Sequence, residues 1–126
     1  MNVITLMQHL NIFRVEMIGS VLVVTPAGDA STFRYQELHQ EANTIRGEIA
    51  RQGIKKFAVD LSEMEYFGSE FIGALVSMLR ETRLRGGKGC FCAANGEMLK
   101  VLQNMSLFKL WPYFETLDEG LASLQA

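Results

Sequence analysis

The spacing at which apolar residues recur changes repeatedly along this chain, and that alternation constrains its fold more than any other feature. Phe13, Val15 and Met17 alternate with Arg14 and Glu16, the period of a strand with one buried face. Gly19-Ser20 marks a turn. Val21 to Thr25 is a β-branched and apolar run, so a hairpin is expected to end before Pro26 and Gly28. From about Ser31 to Arg51 the period becomes helical, with Leu38, Ala42, Ile45 and Ile49 on one side and polar residues on the other, closing near Gly53. Phe57 to Leu61 is a short apolar run holding one acid, Asp60, as expected of an inner strand covered on both faces. Phe71, Ile72, Leu75, Val76 and Leu79 stripe a second helix that stops at Gly86-Gly87. Cys90 to Ala94 reads as a strand. A third helix from about Asn95 to Met105 carries Met98, Val101, Leu102 and Met105, and Tyr113 to Thr116 is a short closing strand. Thr116 with Glu119 fits a capping box ahead of Leu117, Leu121 and Leu124, which predicts a final helix. The order implies an α/β fold: a mixed sheet of about five strands with four helices, mostly parallel, with an antiparallel N-terminal hairpin.

A chain of 126 residues is the size of one domain and can bury a core without disulfides or metals. A single domain is expected over residues 1–126, with a core at about 13–124 and a leader at 1–11. The formal net charge of -2 argues against a nucleic-acid binder, whose affinity comes from a basic excess on one face. Arg80, Arg83, Arg85 and Lys88 instead suit the negative end of a helix. Neither end has an apolar run long enough to span a bilayer or the pattern of a signal peptide, so a cytoplasmic protein with no membrane partner is expected. Cys90 and Cys92, alternate residues of a strand, would point the same way and make a poor disulfide pair; with no companion histidine they suggest no metal. Catalysis is not expected either. His9 and His39 stand apart from any nucleophile or carboxylate pair, and Gly86-Gly87-Lys88-Gly89 leads into a strand, unlike a phosphate-binding loop.

The segment 59–94 carries more. It holds a strand ending in Asp60-Leu61-Ser62, a hydrophobic loop, the motif Gly68-Ser69-Glu70-Phe71, an apolar helix with a double-glycine stop, and another strand. In this order and spacing it resembles the STAS domain of anti-sigma factor antagonists. Outside it, Thr25 to Asp29 resembles that family's Gly-x-x-Asp turn, shortened here to Gly28-Asp29, and Met105 to Phe108 resembles its later Gly-Leu turn, with Ser106 in place of glycine. The resemblance covers about residues 13–124. It implies a STAS fold and a regulator of transcription that binds an anti-sigma factor which is also a serine kinase, with no cofactor.

In that family a serine of the central motif is phosphorylated and the modified form releases its partner. Alignment through Asp60, Leu61 and Gly73 puts Gly68 on the family's aspartate, Ser69 on its first serine and Glu70 on the second, commonly modified one. The loop leads from a strand into a helix N-terminus, where backbone N–H groups and the dipole favour negative charge. Three readings stay open: Ser69 is the phosphoacceptor; Glu70 mimics the modified state permanently; or Ser69 only caps the helix and Glu70 complements its dipole. The implied partner-binding residues are Gly28, Asp29, Glu63, Tyr66, Phe67, Gly68, Ser69 and Glu70, with Phe71 assigned to the core. An alternative in the same fold is a scaffold subunit of a larger signalling assembly without a phosphorylation site, using Leu107, Phe108, Leu110 and Trp111, although these more naturally pack under the third helix. Oligomeric state is left open.

Overall fold

The computed structural model describes residues 10–27, 34–65 and 67–125. Strands β1 (Phe13–Ile18) and β2 (Val21–Pro26) form the antiparallel hairpin, with Phe13 opposite Pro26 and Ile18 opposite Val21. Helix α1 (Tyr35–Gln52), strand β3 (Lys56–Asp60), helix α2 (Ser69–Leu84), strand β4 (Lys88–Cys92) and helix α3 (Gly96–Asn104) follow in turn. A single 3₁₀ turn (Leu107–Lys109), a two-residue strand β5 (Tyr113–Phe114) and helix α4 (Leu117–Gln125) complete the described chain. Among the described residues the sheet has five strands in the order β1-β2-β3-β4-β5, parallel from β2 onward.

This order decides which face each helix takes. Every parallel step moves to the next strand in the same direction, and right-handed crossovers then place α1, α2 and α3 on one face. That face is the main core: Leu22, Val24, Phe57, Val59 and Phe91 of the sheet meet Leu38, Ile45 and Ile49 of α1 and Leu75, Met78 and Leu79 of α2. The opposite face presents Val21, Val23, Ala58, Cys90 and Cys92, and α4 lies on it through Leu124. Its residues are small because α4 packs so close. A Cβ on Gly120 would fall 2.4 Å from Cys92 Sγ, so only glycine fits there. The two sulfurs lie side by side at 3.7 Å, both buried, and Cys92 is pushed above the ordinary thiol range first by sharing its proton with Cys90 and then by burial.

The expected elements are present with shifted ends. The part of the first helix expected over residues 31–33 lies outside the described residues. Strand β4 runs two residues earlier than the apolar run suggests. Lys88 N–H already donates to Lys55 O at 2.8 Å, and Ala93 leaves the extended region with φ of 64°. Gly86, with φ of 81°, makes the left-handed turn that stops α2. At the last helix, Thr116 Oγ1 accepts the Glu119 N–H at 3.1 Å, one arm of the expected capping box, while its hydroxyl meets Glu119 Oε1 at 3.0 Å. Leu107 and Trp111 are buried, Phe108 is half-buried against the core, and Leu110 is exposed. No helix of the described residues is long and apolar enough to cross a membrane.

One acid on α1 departs from the simple polar-face pattern. Glu41 is buried, and its carboxylate accepts three backbone N–H groups at the start of β1: Asn11 at 2.8 Å, Ile12 at 2.9 Å and Phe13 at 3.2 Å. Asn11 and Ile12 precede the first rung of the hairpin and Phe13 stands in it opposite Pro26, so Glu41 serves these donors in place of a neighbouring strand.

Candidate functional site

The loop between β3 and α2 is held from both sides. Leu61 N–H extends the parallel ladder one residue past β3 by donating to Cys92 O at 2.9 Å, and Asp60 Oδ1 accepts the Ser62 N–H at 3.0 Å, which turns the chain. Leu61, Met64 and Phe67 then point inward, each at most 4% exposed, leaving Ser62, Glu63 and Glu65 at the surface. Asn95 clamps the loop from across the sheet end. Its Oδ1 caps α3 by accepting the Met98 N–H at 2.9 Å, while its amide donates to Met64 O at 3.4 Å and to Glu65 O. On the other flank Arg14 of β1 pairs with Glu63, and that hydrogen bond holds the Glu63 carboxyl below the usual carboxylate range.

Helix α2 opens without a side-chain cap. Gly68 occupies the cap position and Ser69 is the first helical residue, so the expected capping role of Ser69 is corrected: its hydroxyl lies past the point from which a cap reaches back to the helix N–H groups. The first α-helical bond is Ile72 N–H to Gly68 O at 3.1 Å, which leaves the N–H groups of Ser69 and Glu70 ahead of the ladder. Ser69 is exposed and its hydroxyl makes no hydrogen bond among the described residues. Glu70 turns toward α1, its Oε2 3.1 Å from His39 Nε2, with both side chains about half exposed. Between the two helices runs a groove of ≈ 340 Å³ lined by His39, Asn43, Arg46, Ser69, Glu70 and Ser77.

Of the residues the sequence singled out, Glu63, Gly68, Ser69 and Glu70 lie exposed on this one surface. Phe67 does not. Expected to face a partner, it is 1% exposed and its ring packs tilted against Phe71 at 5.4 Å, with Phe71 in turn 5.5 Å from Phe13. Extracting a buried phenyl ring costs about 2–3 kcal/mol, and its aromatic contact roughly 1 kcal/mol more. A partner would gain little by drawing it out. Gly28, Asp29 and Tyr66 lie outside the described residues. Arg14, His39 and Asn95 were not singled out as site residues. Arg14 read only as the polar half of a strand pattern and Asn95 only as a helix start, and nothing local in sequence links either to a loop so far away along the chain.

An exposed hydroxyl at a helix N-terminus, on a surface carrying Glu63, Glu65 and Glu70, is suited to accepting a phosphoryl group and to registering the added charge. The STAS domain family model matches residues 13–120 of this chain. Among solved structures, the chain is similar to a Thermotoga maritima protein described as a proposed anti-sigma factor antagonist, with TM-score 0.80, 19% identity, and coverage of 94% of this chain and 99% of that one. An anti-sigma-factor antagonist (STAS) domain protein from Planctomyces limnophilus is 28% identical with TM-score 0.73, over 90% of this chain and 98% of that one. The Bacillus cell fate determinant SpoIIAA in its phosphorylated form is 18% identical with TM-score 0.69, over 88% of this chain and 97% of that one.

Proposed function

The chain belongs to the STAS domain family, and from that premise we propose that it is an anti-sigma factor antagonist: a binding protein, not an enzyme, whose partner is an anti-sigma factor of the serine-kinase type. The observation that carries this reading is Ser69, an exposed hydroxyl in the first turn of α2 with no hydrogen bond among the described residues. Unmodified, the surface formed by Glu63, Gly68, Ser69 and Glu70 docks on the anti-sigma factor and frees the sigma factor. The kinase transfers the γ-phosphoryl group of ATP to Ser69 Oγ, with loss of the hydroxyl proton and departure of ADP. The product adds about -1.5 to -2 charges beside Glu70 and Glu63. The helix N-terminus tolerates that charge, contributing up to about 1 kcal/mol, while a partner fitted to the uncharged hydroxyl is repelled.

Mass spectrometry after incubation with the partner kinase and ATP tests the acceptor. One phosphate on Ser69 is expected, and its absence with a kinase that modifies a control substrate refutes the assignment. A second reading has one observation in its favour. Glu70 is engaged by His39 on α1, as a permanent negative charge at the head of α2 would be. In that reading Glu70→Ser changes partner affinity, and unchanged affinity and modification in that variant would refute it.

A further inference from the structure

At the end of the sheet away from this loop, the edge of β4 is left open. The strand's N–H groups alternate in direction: Lys88 donates to Lys55 O on the β3 side, whereas Phe91 donates to Pro112 O and Ala93 to Phe114 O, both at 3.0 Å on the β5 side. Parity therefore aims the N–H and C=O of Gly89 toward β5. The β4–β5 ladder pairs only Phe91 with Tyr113 and Cys92 with Phe114, and the chain next to that end is Pro112, which has no N–H to give.

A cavity of ≈ 290 Å³ lies here, lined by Arg83, Lys88, Gly89, Trp111, Ser123 and Leu124, with Leu110 beside them. Trp111 is 2% exposed, and its Nε1 is buried with no hydrogen-bond partner. A Cβ at position 89 would come within 3.6 Å of Trp111 Cδ1, the atom bonded to Nε1, and 2.5 Å from Leu79 Cδ2, so the indole lies over the core face of Gly89 with its pyrrole side toward that residue. Buried donors are almost always paired, which makes the orphan N–H informative. Arg83 and Lys88 are exposed at the same cavity, and neither forms an ion pair among the described residues, whereas their neighbour Arg85 is taken by Glu81 at 3.1 Å. Uncompensated cations thus share one cleft with apolar Leu110, Trp111 and Leu124.

We propose that this cleft is a binding site for a small amphipathic carboxylate. The acid group lies between Arg83 and Lys88, and the hydrocarbon body lies along Leu110, Trp111 and Leu124, where it changes the surroundings of the indole. The volume sits near the lower end of small-molecule pockets and suits a ligand of about ten non-hydrogen atoms. The site is independent of the Ser69 surface and stands whether or not that surface binds an anti-sigma factor.

Trp111 is the sole tryptophan of the chain, so its indole N–H gives one unambiguous NMR resonance. The full chain is titrated with hydrocinnamate, and in parallel with hydrocinnamyl alcohol, which keeps the ring and chain but lacks the charge. The expected result is a saturable shift of the indole resonance with the acid and binding at least about tenfold weaker for the alcohol, as loss of a charged hydrogen bond implies. Arg83→Gln with Lys88→Gln, both at exposed positions, is expected to weaken the acid by a similar factor and leave the alcohol unchanged. No saturable shift, equal affinity for acid and alcohol, or unchanged affinity of the double variant would overturn the proposal.

Discussion

Removing the Glu41 carboxylate is expected to cost more stability than any other single polar substitution on α1. The side chain accepts N–H groups from three consecutive residues of the chain entering β1, and two of those donors, Ile12 and Phe13, are buried and share Oε1. In Glu41→Ala both are left without an acceptor, at about 1–3 kcal/mol each. The Asn11 donor is exposed enough for water to replace its bond and adds little. The sum is about 3–4 kcal/mol, a large part of the ~5–15 kcal/mol available to a domain of this kind. Glu41→Gln keeps one carbonyl oxygen for the Ile12 and Phe13 donors but offers an amide to Asn11, so it is expected to cost about 1–2 kcal/mol. Urea unfolding followed by circular dichroism measures both variants, with unchanged slope and a lower midpoint expected. If alanine stays within about 1 kcal/mol of the parent, or glutamine costs as much as alanine, the reasoning is refuted. The same clip carries into the site, because β1 also presents Arg14 to Glu63.

Three further outcomes follow from single contacts. Ser106 has φ of 60°, a left-handed conformation that costs an L-residue about 1–2 kcal/mol, so Ser106→Gly is expected to raise stability by about 0.5–1 kcal/mol after the greater freedom of glycine in the unfolded chain is deducted; a lower urea midpoint would contradict this. Gly120→Ala puts a methyl group 2.4 Å from Cys92 Sγ and is expected to cost about 1–3 kcal/mol by lifting α4, with new protease sensitivity confined to that helix; cleavage spread over the whole chain would count against it. Glu63 has its folded pKa depressed by Arg14, so its contribution is present above the unfolded carboxylate range and is lost as pH falls through the lower folded value. Parent and Arg14→Gln should therefore differ in stability near neutrality and converge in acid, and a gap that widens in acid would reverse the sign.

The fold was largely legible because its signal is periodic. The alternation at Phe13, Val15 and Met17, the stripe from Leu38 to Ile49 and the Thr116–Glu119 box each specify an element from neighbours in sequence. The site was legible only where it is local. Gly68, Ser69 and Glu70 are adjacent at a helix start, so their shared exposure could be expected. Phe67 could not be placed the same way, since an aromatic in a loop serves a rim or a core equally well until Phe13 and Phe71 are brought against it. Glu41 was hidden among the polar residues of α1 although it sits three residues after Leu38 and beside Ala42, on the buried stripe. An acid at such a position signals a distant donor, and here the donors are 28–30 residues away. Asn95 escaped as a loop clamp because capping α3 already accounts for its identity.

The central claim is that charge at Ser69 governs partner binding. Isothermal titration of a serine-kinase anti-sigma factor against the parent chain, Ser69→Ala and Ser69→Glu tests it directly. Parent and alanine variants should bind alike, because the hydroxyl holds no hydrogen bond among the described residues that alanine would break, and glutamate should weaken binding at least about tenfold, equivalent to about 1.4 kcal/mol. Equal affinity for all three would contradict the account and move the partner surface elsewhere on the domain.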